Sequence, residues 1–409
     1  MLLDSLAAVA VILFYLWYGN RHDFFDLHIY HDAMTWWSNG NRLYEFSVPD
    51  RLQGRLYFTY TPFAAFVMRP MAFVPFTGVA VAFAVLSVIA AYGAVYCLLN
   101  LSGVIKERAA ASVLILTGLV APLTLLIEPM RETLTLGQIN MPLVCLVLFD
   151  ICYAVPRGWR AAGAFIGIAT AIKLIPGIFI LYLLIAKQWR AAAVATATTA
   201  IATLLAFLAS PSTSREYWTS AFWDTARVGG LEYPGNQSIL GLMSRVAAPE
   251  TANRGIWLVS VAALLAIGLF RAYRAQQSGN SLAAIALVGL IGGLISPITW
   301  PHHIYWLVPA MLVLLEKSIR GTHRARLAAT VALLLTFAAS VRGVVSFSRW
   351  DGVHLAQSLV PFVNQNLLVI VTAALVLFLP VMPAGLPRRP DISGPGRSER
   401  PGPVAADRL

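Results

Sequence analysis

Asp26, Lys173 and the adjacent His302 and His303 are the side chains best placed for acid–base and anion chemistry, because each is ionisable and each lies against apolar sequence. A carboxylate can take a proton from a hydroxyl, and an ammonium or imidazole can stabilise a departing phosphate. Asp26 opens the run Asp26-Leu-His28-Ile-Tyr30, after Asp23-Phe-Phe. Leu27, Tyr30, Ala33, Met34 and Trp37 recur there at helical spacing, which predicts an amphipathic helix lying in a membrane interface. At its start Asp26 has two readings, a helix cap or a base. Lys173 lies in Ala171-Ile-Lys-Leu-Ile-Pro176, and a cation at membrane depth costs roughly 2.5–3.5 kcal/mol. It either snorkels to the interface or faces an anion. The histidines follow Ser296-Pro-Ile-Thr-Trp300-Pro301, with Pro301 suited to the first turn of a helix. Neighbouring helical positions diverge by roughly 100°, so one histidine is expected to face a cavity. Adjacent histidines lack the i, i+4 spacing of paired ligands, so neither a metal nor another cofactor is predicted.

Other polar groups gather near these. Gln138 and Asn140 follow Glu128-Pro-Met-Arg131-Glu132 at the entry to an apolar run, where they either cap it or bond across helices. A later loop carries Tyr217-Trp218, Trp223, Arg227, Tyr233 and Asn236-Gln237-Ser238. Ring faces beside amides and a guanidinium suit a sugar and its phosphate. His28, Tyr60, Gln138, Asn140, Lys173, Arg227, Asn236, Gln237 and Trp300 are therefore the expected substrate-binding side chains, and Asp26, His302 and His303 the expected catalytic ones.

The elements that must hold them are membrane helices. The 409 residues are 58% hydrophobic and 12% charged, about half the charge of a soluble domain at roughly 25%. Mean hydropathy is +0.71, so lipid is the solvent for most of the chain. The net charge of +11 comes from basic residues set singly or in pairs between apolar runs, the positive-inside pattern rather than a nucleic-acid surface. Cys97, Cys145 and Cys152 all lie within apolar runs and are read as reduced. The first run, Leu6 to Tyr18, has no basic segment before it and no small-residue cleavage site, so a retained helix is expected.

Basic loops at Lys106/Arg108, Arg157/Arg160, Lys187/Arg190, Arg271/Arg274 and Lys317–Arg326 are assigned to the cytoplasm. Residues 20–61 and 210–254 then form two outer loops. Because 157–160 and 187–190 both belong inside, the run 161–187 must return to the side it leaves. Pro176-Gly177 divides it into two short arms. The expectation is an all-α polytopic bundle of about 12 crossings, this hairpin included, in one domain over 1–387. An outer-face cavity borders the tip of the hairpin, and a disordered cytoplasmic tail follows over 388–409.

Six segments, taken together, resemble glycosyltransferase family 87, the polyprenyl-phosphate-mannose-dependent mannosyltransferases of actinobacteria. They are Asp26-Leu-His-Ile-Tyr30, Phe58-Thr-Tyr-Thr-Pro62-Phe63, Gly137-Gln-Ile-Asn140, Ala171–Pro176, Asn236-Gln-Ser238 and Ser296–Trp300 with His302-His303. They run in the family's order over residues 26–303. The one departure is Thr61, where the family usually has proline. Within the family the chain is most similar to the phosphatidylinositol-mannoside enzymes, and related enzymes that branch lipomannan share the same motifs, so the implied acceptor is a phosphatidylinositol mannoside or lipomannan. The resemblance implies a GT-C fold and an acidic base in the first outer loop, carried onto Asp26, with helpers at Lys173 and the histidine pair. It implies a polyprenyl-phosphate-mannose donor, a mannosylated glycolipid acceptor, an α-1,2 linkage formed with inversion, and a site on the outer face of the cytoplasmic membrane. A transporter or flippase of a lipid-linked sugar explains the hydrophobicity and the intramembrane lysine equally well. It gives no reason to gather Asp, His and Trp in one outer loop.

Overall fold

A computed structural model describes residues 2–50, 54–102, 110–248, 250–343 and 359–382. The basic loop at Lys106/Arg108 and the expected disordered tail lie outside the described residues. The apolar runs fold as helices: α1 (Leu2–Tyr18), α2 (Phe25–Ser38), α3 (Pro62–Met68), α4 (Phe76–Leu101), α5 (Ala110–Thr124), α6 (Glu128–Leu136), α7 (Asn140–Phe149), α8 (Ala164–Ile172) and α9 (Ile178–Ile185). The second half contributes α10 (Trp189–Ala209), α11 (Pro211–Glu216), α12 (Ile239–Ala247), α13 (Arg254–Gln277), α14 (Ser281–Ile295), α15 (Leu307–Arg320), α16 (His323–Arg342) and α17 (Leu359–Phe378).

The chain is a helical membrane protein. Among the described residues five helices are long and apolar enough to cross a bilayer: Phe76–Leu101, Trp189–Ala209, Arg254–Gln277, His323–Arg342 and Val360–Phe378. A sixth span arises if Ser112–Thr124 and Glu128–Leu136, bent by 75°, count as one. Shorter apolar helices at Leu3–Tyr18, Asn140–Ala154, Ile175–Ile185 and Ser281–Ile295 accompany them. α14 is apolar on every side, and Leu282 through Leu294 are all buried, which marks it as the centre of the bundle. α13 packs beside it and turns most of its surface outward, as a lipid-facing helix does.

Three features near the site follow from local chemistry. α8 stops at Ile172, Lys173 is extended (φ −144°, ψ 124°), and a 3-10 turn at Ile175–Gly177 leads into α9. The Thr61 hydroxyl donates to the carbonyls of Ala171 and Ile172, satisfying the open end of α8, and accepts from Ala64 N to cap α3. The family's usual proline has no hydroxyl for either task. At the far end of the segment, Arg190 donates to the carbonyls of Gly158 and Trp159 at 3.0 and 2.7 Å, so the two basic loops flanking 161–187 meet.

The sequence did not anticipate two elements. Ser47–Asp50 (β1) pairs antiparallel with Gly54–Tyr57 (β2), Ser47 opposite Tyr57. Neither Ser-Val-Pro-Asp nor Gly-Arg-Leu-Tyr alternates cleanly enough to announce a strand. The histidines are also not on an α-helix. Pro301–His303 is a single 3-10 turn at the elbow between α14 and α15. Trp306 anchors that elbow by lying on Gly289 of α14, where a Cβ would come within 2.2 Å of the indole.

Candidate active site

α2 forms as expected, burying Leu27, Ile29, Tyr30, Ala33 and Met34. Its N-cap is Phe24 in the left-handed region with no side-chain cap bond, so Asp26 is not a cap. The carboxylate instead receives a hydrogen bond from Gln138 Nε2 at 2.5 Å. Gly137 makes this possible. It ends α6 at φ +74°, and a Cβ there would come within 2.6 Å of Leu27 Cβ, so only glycine lets the 137–138 strand of chain reach α2.

From Asp26 a continuous chain of hydrogen bonds leads to Lys173. Gln138 Oε1 accepts from the Tyr60 hydroxyl at 3.0 Å, and Tyr30 and Tyr60 hydroxyls lie 3.2 Å apart. Lys173 Nζ donates to Tyr60 at 3.3 Å and to Asn140 Oδ1 at 2.9 Å, and meets His303 Nε2 at 2.9 Å. Asn140 Nδ2 reaches back to the carbonyl of His302 at 3.2 Å, tying α7 to the histidine turn. No carboxylate lies within hydrogen-bond reach of Lys173 among the described residues, so its charge is open to an anion.

These groups line one pocket of about 630 Å³ between α2, the β-hairpin, the Lys173 turn, the 217–233 loop and the histidine turn. Asp26, Tyr60, Gln138, Lys173, Arg227, Trp300, His302 and His303 all border it. Both histidines do so, contrary to the expectation of one, because their rings stand at 89° to each other in a tight turn that the pocket wraps. Asn140 borders a second, small cavity of about 40 Å³ behind Lys173 and the histidines. Arg227 donates to the Tyr44 carbonyl and lies 4.2 Å from the centre of the Tyr57 ring. Burial pushes the Asp26 carboxyl up from 3.8 to about 6, against the Gln138 hydrogen bond and the Lys173 charge. Burial, and then the Lys173 charge, holds both imidazoles well below the usual histidine range.

Three of the expected substrate-binding side chains lie elsewhere. His28 stacks on Phe76 with ring centres 3.7 Å apart. Asn236 and Gln237 are fully buried and engaged with backbone. Asn236 Nδ2 donates to the carbonyls of Leu231 and Pro297, and its Oδ1 accepts from Ser238 N and Thr299 N. Gln237 inserts between the Gln365 carbonyl and the Val369 N–H of α17. These amides hold the loop's backbone together. Glu132, which ends the Glu128-Pro-Met-Arg131-Glu132 segment and is not among the expected site residues, lines the pocket and lies 3.1 Å from His302 Nδ1. An acid in a short segment between apolar runs was the available signal.

A profile of glycosyltransferase family 87 matches residues 58–297. A Mycobacterium tuberculosis protein described as a polyprenol-phosphate-mannose-dependent alpha-(1-2)-phosphatidylinositol mannoside mannosyltransferase is 32% identical over 341 residues, 81% of this chain and 76% of the relative. A Mycolicibacterium smegmatis protein is 32% identical over 320 residues, 78% of this chain and 75% of its own length. It is described as the corresponding pentamannoside mannosyltransferase. No solved structure matches significantly.

Proposed function

The chain belongs to glycosyltransferase family 87, and from that membership we propose that it transfers mannose from polyprenyl-phosphate mannose to a mannosylated phosphatidylinositol glycolipid, forming an α-1,2 linkage. The observation that carries the reading is the hydrogen-bonded path from Asp26 through Gln138 and Tyr60 to Lys173 and His303 along one pocket. It sets a carboxylate of raised proton affinity on the same path as a cation that, among the described residues, has no carboxylate in hydrogen-bond reach. In a single displacement Asp26 takes the proton of the acceptor hydroxyl while that oxygen attacks the anomeric carbon. The bond from that carbon to the phosphate oxygen breaks, and polyprenyl phosphate leaves with the electron pair. Help from a general base is worth about 10²–10⁴-fold. Lys173 and His303 stabilise the charge that grows on the phosphate. A β-linked donor then gives an α-linked product.

The pocket opens on the outer face of the cytoplasmic membrane in this reading, with the bundle crossing about 12 times and the loops 20–61 and 210–254 outside. The positive-inside bias of the basic loops supports that orientation, and a lipid-carried sugar is the donor available on that side. The transporter reading has no support among the relatives, which are transferases. Lipid mass spectrometry after gene deletion tests the proposal. Loss of one mannosylated phosphatidylinositol species with accumulation of the species one mannose shorter is expected; an unchanged lipid profile overturns it.

A further inference from the structure

Glu132 and His302 form a buried pair on the same pocket, with side chains 7% and 3% exposed and Glu132 Oε2 3.1 Å from His302 Nδ1. When Glu132 is ionised it only accepts, which places the imidazole hydrogen on Nδ1 and leaves the Nε2 lone pair free. His302 Nε2 is buried and has no partner among the described residues. A buried acceptor left open costs free energy unless a ligand or water fills it.

His303, one residue on, turns its Nε2 to the Lys173 ammonium at 2.9 Å. An ammonium only donates, so Nε2 is the acceptor of that contact, and His303 fixes the direction of the Lys173 side chain. The adjacent rings, with centroids 4.6 Å apart, thus hold an ammonium on one side and present an open ring nitrogen on the other. In a sugar phosphate the group closest to the phosphate that can donate is the hydroxyl on the carbon beside the anomeric centre. Hydrogen bonds to that 2-hydroxyl strengthen as the ring gains oxocarbenium character.

We propose that His302 Nε2 accepts a hydrogen bond from the 2-hydroxyl of the donor mannose, and that Glu132 is the positioning residue that holds the imidazole in the required tautomer and orientation. The inference rests on the mannosyl-transfer reading above. It divides the histidine pair, giving His303 to the Lys173 that meets the phosphate and His302 to the sugar.

The test is a cycle of enzyme and substrate deletions on the purified full chain in detergent. Wild type, His302→Ala, Glu132→Gln and Glu132→Leu are assayed with polyprenyl-phosphate mannose and with its 2-, 3-, 4- and 6-deoxy analogues. Wild type should lose roughly 10- to 100-fold in kcat/KM on the 2-deoxy donor, the cost of an unpaired buried acceptor. His302→Ala should be slowed by a similar factor on the full donor and be nearly indifferent to loss of the 2-hydroxyl, while keeping the wild-type response to the other deletions. Glu132→Leu should show that same selective indifference, and Glu132→Gln, whose amide oxygen can still accept from Nδ1, should restore most of the discrimination. A merely structural role for Glu132 would lower all five donors alike and overturn its part of the proposal. Coupling of His302 to another hydroxyl, or to none, overturns the assignment of the 2-hydroxyl. If wild type transfers from none of the donors, the parent reading fails instead, so the two failures are separable.

Discussion

Asp26→Asn should make the protein more stable and nearly inactive, and both effects come from one charge. Asparagine keeps the size of the side chain and an oxygen to accept from Gln138 Nε2. In the folded protein burial raises the carboxyl from 3.8 to about 6. A raised value means that the folded state binds the proton more tightly than the unfolded chain. The stability this brings is fully present below about pH 4 and lost as pH rises through about 6. At about 1.4 kcal/mol per pH unit, holding the ionised form at neutral pH costs about 3 kcal/mol, trimmed to about 2 kcal/mol because Asp26 is half-buried and borders an open pocket. An amide never carries the charge, so the variant should unfold about 2–4 °C higher than wild type at pH 7.5, with the gap closing toward pH 4. Transfer should fall by about 10²–10⁴-fold. The assay is paired: thermal unfolding in detergent across pH, and initial rates with polyprenyl-phosphate mannose. A variant less stable at pH 7.5, or a gap independent of pH, would refute the strained-base argument even if activity were lost.

In wild type, kcat/KM should climb with pH through about 6 as Asp26 ionises, since the base works only when deprotonated; a rate flat between pH 5 and 7 contradicts the assignment. Lys173→Ala should lower kcat by several kcal/mol of barrier through loss of charge at the leaving phosphate, and Lys173→Arg should recover part of it because the guanidinium has a different reach; equal rates in all three forms would remove Lys173 from the mechanism. Gly137→Ala should reduce activity by separating Gln138 from Asp26, since the added Cβ meets Leu27 at 2.6 Å, and intact activity in a folded variant would show that contact to be dispensable. Single cysteines from Glu45→Cys and Thr225→Cys should react with an impermeant thiol reagent from outside, and those from Arg160→Cys, Gln188→Cys and Thr322→Cys only from inside. Reaction of the 160 and 188 positions from opposite sides would contradict the returning hairpin.

The sequence carried most of the helices because apolar runs have no other solution in lipid. It marked Asp26, Lys173 and the histidines because ionisable groups beside such runs are costly. The break at Lys173–Gly177 was legible from Pro176 and from the parity of the basic loops. The β-hairpin was not, having too little alternation to compete with loop composition. Asn236 and Gln237 show a deeper limit. An amide among aromatics looks the same in sequence whether it binds a sugar or satisfies a loop's own carbonyls, and here Pro297, Leu231 and Gln365 claim them. The converse holds for Glu132, whose partner His302 lies 170 residues away, a separation that no local pattern spans.

The central claim is that an outward pocket uses a lipid-borne donor with Asp26 as base. Its most direct measurement is donor choice by the purified protein, free of enzymes that interconvert donors. Transfer from polyprenyl-phosphate mannose to the glycolipid, absent in Asp26→Asn and absent with GDP-mannose, is the predicted result. Transfer supported by GDP-mannose alone would contradict both the donor and the side of the membrane on which the pocket is placed.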